Sequence, residues 1–295
     1  MQLPFEIIAR THLAKAEEYW LADRLGEAHA AMALALNTGV APSDVYDRQR
    51  TIEAELAARM RGERRRIAEH LVLETAAALP ARILGPVARA TWDSWLDVTV
   101  ALRVRWGKPV LVTIFGGAED SLFIHSRYGY YRERSEVHKV CLPSSLIGSL
   151  PILRQAVLHE VAHAAIHDVA GEAVPRWLDE GVAVWMEGGG GPLETRQLRI
   201  AAAKGRTPTM REVSARLESY DTDLDSIAAG VSYAAAGVFV EHIVGAHSAE
   251  AVVRVLRALR EGGDMERAFR AAIGRSLRDV EAEWRRGAVG GPTRP

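Results

Sequence analysis

The chain has 295 residues, about half of them hydrophobic and a quarter charged, which is the composition of a folded globular protein and excludes a disordered one. A formal net charge of −1 excludes a general attraction to nucleic acid or to an anionic membrane surface. The one cysteine, Cys141, excludes an intrachain disulfide; with His138 its nearest histidine and no cysteine-enzyme signature around the pair, it reads as a packed strand residue.

The first twenty residues, MQLPFEIIARTHLAKAEEYW, lack the basic leader, apolar core and small-residue cleavage site of a signal peptide. No uninterrupted apolar run reaches the length of a membrane span, so the expectation is a soluble, cytoplasmic protein. FEIIARTHLAKAEEYWLADRL carries apolar residues at helical spacing, Gly26 follows it, and EAHAAMALALN makes a second, alanine-rich helix. So short a link predicts an antiparallel hairpin. Its pattern of Ala16, Tyr19, Ala28, Met32 and Ala35, with Pro42 beyond, resembles a single tetratricopeptide repeat. No second copy follows at the expected period, so the hairpin must bury its face on what comes next.

Ser43 and Asp44 are expected to cap a charged helix running to about Arg66, with the basic run RMRGERRR (Arg59–Arg66) as a solvated face; residues 1–66 then form an N-terminal helical region. HLVLET (70–75) predicts a short strand, and PARILGPVARATWDSWLDVTVALRVRW a mostly helical stretch. PVLVTIF (109–115) is the clearest strand, bounded by Pro109 and Gly116-Gly117. A polar segment, HSRYGYYRERS, precedes an alternating strand, EVHKVCLP (136–143), which Pro143 closes. PILRQAVLHEVAHAAIHDV predicts one long helix; after the turn GEAVP, RWLDEGVAVWMEG predicts another, stopped by Gly188–Gly191. More helices are expected to 286, then a disordered tail over 287–295.

HEVAH at 159–163 is the stretch that carries chemistry. On a helix, residues four apart share a face, so His159 and His163 can grip one metal ion. Glu160, beside the first of them, can reach an attacking water without coordinating the metal. A catalytic zinc takes three protein ligands and keeps one open position. His167 continues the spacing, but a straight helix carries it one turn too far to converge. A metzincin would need a histidine where Val169 stands. Asp179 and Glu180 remain, both at the start of the next helix. His138, His242 and His247 have no ligand spacing and are read as surface or packing residues.

HEVAH, sixteen residues, and then the glutamate of PRWLDEGVAVW together resemble the gluzincins, and more closely the peptidase MA-like family, most strongly over residues 150–187. The resemblance implies a mainly helical α+β zincin domain, thermolysin-like, over 67–286, with a small sheet before the HEVAH helix. It selects Glu180 over Asp179, so that His159, His163 and Glu180 would hold one zinc ion and Glu160 would be the general base. SYAAAGVFVEHIV is similar to the tyrosine-bearing helix that follows the glutamate in this family, which makes Tyr233 a candidate donor to a developing oxyanion; a core tyrosine is the other reading of that position, and Tyr128, Tyr130 and Tyr131 are alternative donors. Trp177 and Gly181 read as packing residues. A peptide or protein would be the substrate, with EVHKVCLP as the edge strand pairing with it. Thermolysin-type enzymes place an aspartate four residues after the glutamate ligand; here that residue is Val184. Support for a histidine must then come from elsewhere, with Asp179 and Asp168 as candidates. Two other readings stand beside the peptidase: an inactive zincin-fold scaffold that binds a protein partner through the N-terminal hairpin, and a metal hydrolase acting on another polarisable carbonyl.

Overall fold

The first two helices join at Asp23 rather than at Gly26. A computed structural model describes residues 4–39, 45–116, 129–171, 173–219 and 226–289. In it α1 (Pro4–Leu21) and α2 (Leu25–Leu36) pack against each other, with Gly26 inside α2. Asp23 takes φ +57°, a left-handed turn conformation that aspartate tolerates. Arg59 pins it there, donating to the Asp23 carbonyl at 3.0 Å and to its carboxylate at 2.7 Å. Ala16, Ala28 and Met32 are buried with Trp20, Leu25, Val45 and Ile52 in one apolar cluster, and Tyr19 packs on its rim. Pro42, Ser43, Asp44 and Tyr128 lie outside the described residues.

The charged helix α3 (Val45–Arg61) stops short of Arg66 because of Gly62. A Cβ on Gly62 would lie 1.7 Å from the carbonyl oxygen of Thr75, so glycine alone lets the chain turn back here. Glu63–Ala68 then forms strand β1, paired antiparallel with β2 (Leu71–Thr75). The basic run is thereby divided: Arg64, Arg65 and Arg66 lie exposed along an edge strand, while Arg59 turns inward.

The sheet has five strands in the order β1-β2-β3-β5-β4, with β3 at Val110–Ile114, β4 at Tyr130–Glu133 and β5 at His138–Leu142. Helix α4 (Ala81–Ala101) connects the parallel strands β2 and β3. β2, β3 and β5 are buried throughout, as central strands of a parallel arrangement are. The position of β5 corrects one expectation. EVHKVCLP is not an edge strand: it pairs with β3 on one side and β4 on the other, because the tyrosine-rich segment before it folds back as β4 and covers it. The edges are β1 and β4. Cys141 is buried on β5, and burial pushes its thiol up to about 12, so it is packed rather than reactive. His138 is likewise a packing residue and not a surface one, bonded through Nδ1 to the Tyr131 hydroxyl at 2.9 Å.

A charged cluster ties α3 to the sheet and to the α1–α2 turn. Glu55, fully buried, accepts from Lys139 at 2.7 Å, Arg134 at 3.2 Å and the Trp20 indole at 3.3 Å. Lys139 also lies 3.6 Å from Asp23, and the Arg134 guanidinium sits 3.8 Å over the Trp20 ring. Glu74 completes the set, accepting from Arg59 at 3.4 Å and from Thr113 at 3.1 Å. Burial works to lower the Lys139 pKa, but the carboxylates of Glu55 and Asp23 outweigh it and hold the ammonium charged.

By its contacts the chain divides into two units: residues up to Asp93 with Trp106–Val157, and Ser94–Arg105 with the chain from Leu158 onward. The second unit is helical. Its elements are the end of α4, the later part of α5 (Leu150–Ala170), then α6 (Arg176–Met186), α7 (Pro192–Ala203), α8 (Met210–Ser219), α9 (Ser226–His247), α10 (Ala249–Arg260), α11 (Met265–Ile273) and α12 (Leu277–Val289). α9 is the one described helix long and apolar enough, by length and composition, to cross a membrane; half of that stretch is buried, and it packs against α6, α7, α8, α10 and α12. Trp177, Phe239, Phe269 and Trp284 form an aromatic core between α6, α9, α11 and α12. The chain is thus mainly helical with one small mixed sheet. Residues 287–289 continue α12, and 290–295 lie outside the described residues.

Candidate metal centre

Two helices of the second unit build the site. α5 is apolar around nearly its whole circumference, with Val161, Ala162, Ala164, Ala165 and Ile166 buried, as a core helix requires. α6 begins directly after Pro175, and its first turn carries Asp179 next to Glu180, where the helix dipole favours negative charge. Gly181 sets the depth of α6 against α9: a Cβ there would lie 2.7 Å from the Ala236 carbonyl oxygen and 2.9 Å from the Val240 side chain. Trp177 packs on Phe239 with ring centroids 5.3 Å apart, and its main-chain N–H donates to the Ser214 hydroxyl at 3.1 Å. These contacts hold the α6 backbone behind Glu180.

His159, His163 and Glu180 come together. Nε2 of His159 and Nε2 of His163 are 3.2 Å apart, and Oε2 of Glu180 is 3.5 Å from each. Three ligands of a tetrahedral zinc, at the usual bond lengths, would stand about 3.3 Å from one another. The triangle therefore has the size such an ion needs. The chemistry of the three atoms agrees. Glu180 Oε2 is buried with no hydrogen-bond partner. Nδ1 of His163 bonds Asp179 at 2.7 Å, which places a proton on that nitrogen and turns Nε2 into the triangle, where a metal would take the place of a second proton. Two imidazole nitrogens and a carboxylate oxygen converging in a buried space suit a metal ion.

The charges around the triangle are arranged to match. Burial works to lower the His163 pKa, but Asp179 and Glu180 outweigh it and raise it well above the ordinary value. His159 is raised to about 9 against its own burial, by Glu180 and Glu187. Glu180 is buried too, yet His163, His159 and Arg176 hold it well below the usual carboxylate range. Arg176 forms an ion pair with the other Glu180 oxygen at 2.9 Å, leaving Oε2 for the triangle. Glu160 lies next to His159 and is buried; burial pushes its carboxyl up, with the two histidines pulling the other way. A carboxylate so raised is a better proton acceptor near neutrality.

Asp179 is the carboxylate that supports a histidine. Asp168 offers its main-chain carbonyl to Arg260. His167 stays outside the triangle, 4.0 Å from Asp179. Tyr233 lies half-buried on α9, on the stripe of Ala236, Gly237 and Val240 that meets α6. Two residues of the site have no counterpart in the motif. Arg176 stands one turn before Glu180, and Glu187 two turns after it, with Oε2 3.2 Å from Nδ1 of His159. Their spacings of four and seven from Glu180 are the only trace in the sequence, readable once α6 is known to turn this face to α5.

Residues 148–290 match the family model of the Peptidase MA superfamily. No curated protein matches the chain. The family match supports the resemblance to the MA-like peptidases and covers the HEVAH helix, α6 and α9.

Proposed function

We propose that this protein is a zinc-dependent metallopeptidase of the gluzincin type, with His159, His163 and Glu180 holding one zinc ion. The observation that carries this reading is the triangle of 3.2, 3.5 and 3.5 Å between three acceptor atoms, one of them a buried carboxylate oxygen without a hydrogen bond. When bound, the ion would polarise a substrate carbonyl and bring the pKa of a water toward neutrality. Glu160 takes a proton from the attacking water and passes it to the leaving nitrogen. Tyr233 donates a hydrogen bond to the oxyanion of the tetrahedral species. Arg176 and Asp179 hold Glu180 and His163 in place throughout.

The N-terminal hairpin, with its tetratricopeptide-like pattern, is the surface this reading leaves for a protein partner. Phe5, Ile7 and Ile8 lie exposed on α1. The test of the peptidase reading is metal removal. Incubating the protein with a mixture of unmodified peptides should give new termini detectable by mass spectrometry. A strong chelator should abolish them, and zinc at neutral pH should restore them. Cleavage that survives complete removal of metal would contradict it.

A further inference from the structure

We propose that Glu187 is the positioning residue for His159, doing from two turns beyond Glu180 what Val184 cannot do from one. The inference rests on the metal reading above and concerns how this chain orients its first histidine. His163 has its carboxylate in Asp179. His159 needs one as well, since an imidazole that is free to turn loses the alignment of its Nε2 lone pair. The residue one turn after Glu180 on the same face is Val184, which carries no acceptor and packs instead against Gly237. Glu187 follows at helical spacing. Its Oε2 lies 3.2 Å from Nδ1 of His159, and both side chains are largely buried. The two atoms face each other as an ion pair, and neither has a hydrogen-bond partner among the described residues.

The backbone around Glu187 is built to stay still. Glu187 closes α6, its N–H donating to the Ala183 carbonyl at 3.0 Å. Gly188 and Gly189 then take φ +105° and +104°, a turn that L side chains resist, and Gly189 N–H donates to the Val184 carbonyl at 2.8 Å. Gly190 lies so close to α9 that a Cβ would come within 3.0 Å of the Ala234 Cα. The glycine run thus ends the helix at the residue whose carboxylate reaches His159. Glu187 is not a fourth ligand in this geometry. It meets the Nδ1 side of the ring, while the triangle is formed at Nε2.

Two measurements on the full-length protein test this, each on wild type, Glu187→Ala and Glu187→Gln. The first is zinc affinity by competition with a chromogenic chelator. Alanine should weaken it by about 10–100-fold, and glutamine, which keeps an acceptor oxygen, should lose clearly less. The second is the imidazole ¹⁵N–¹H spectrum of the metal-free protein, with the His159 signals identified by their loss in His159→Gln. The Nδ1–H signal should be present in wild type, lost in the alanine variant and retained with glutamine. Glu187→Met, close to glutamate in shape but without an acceptor, replaces alanine if that variant does not fold. Ring signals unchanged by the alanine or methionine variant would overturn the proposal, as would unchanged affinity in a protein that binds zinc. A wild type that takes up no zinc but shows the ring signal moving would sustain Glu187 as the partner of His159 and defeat the metal reading alone.

Discussion

Replacing Glu160 by glutamine should lower peptide hydrolysis by roughly 10²–10⁴-fold while leaving zinc uptake unchanged. The two halves of this expectation come from different parts of the site. Glutamine has nearly the shape of glutamate, so it fills the same buried space without a cavity or a clash. It cannot accept a proton at neutral pH, so the transfer from water to leaving nitrogen is lost. The triangle that could hold a metal ion is formed by His159, His163 and Glu180, and Glu160 contributes no atom to it. Burial already pushes the Glu160 carboxyl up, which is the direction a general base working near neutrality requires. The measurement is turnover on a peptide mixture together with zinc content on the same preparation. Full activity in the variant would remove Glu160 from the reaction, and loss of zinc would show that it acts structurally.

Glu55→Ala should destabilise the first unit by about 3–5 kcal/mol, as expected when one partner of a buried ion pair is removed. The reason is what remains. Lys139 and Arg134 are both almost entirely inaccessible, and Glu55 is the acceptor within 3.2 Å of each. Without it, Lys139 keeps Asp23 at 3.6 Å among the described residues, and Arg134 keeps the face of Trp20. Two cations stay buried without their nearest carboxylate, and the Trp20 indole N–H loses its acceptor. Lys139→Met should cost clearly less, because Glu55 then retains Arg134 and Trp20. Denaturant unfolding of the three proteins orders them. A Glu55→Ala midpoint equal to wild type would show that the cluster is not what fastens α3 to the sheet.

That cluster was invisible in the sequence for a plain reason. Glu55 meets Trp20, Arg134 and Lys139 across 35, 79 and 84 residues of chain, and no local period links them. Arg59 read as one more charge in a basic run, yet its partners Asp23 and Glu74 make it the fixed point of the α1–α2 turn. The apolar, β-rich strands around Val72, Val112 and Val140 were legible from composition. β4 was not, because Tyr130–Glu133 is polar and half-exposed, and missing it made β5 look like an edge. At the candidate metal centre the position is reversed. The side chains that the structure brings together are those named by the HEVAH spacing and by the family resemblance, because a four-residue period fixes a helix face whatever surrounds it. What the motif could not supply were the supports, Arg176 and Glu187, whose use depends on which face of α6 turns toward α5.

The most direct test of the account is the metal content of the purified protein, measured by mass spectrometry on wild type and on Glu180→Ala. Near-stoichiometric zinc in the wild type, falling sharply in the variant, is the predicted result, since removing one vertex of the triangle leaves two imidazoles with no carboxylate to close the site. A wild type that takes up no metal when zinc is supplied at neutral pH would contradict the account, and HEVAH would then be two histidines partnered by carboxylates on a buried helix.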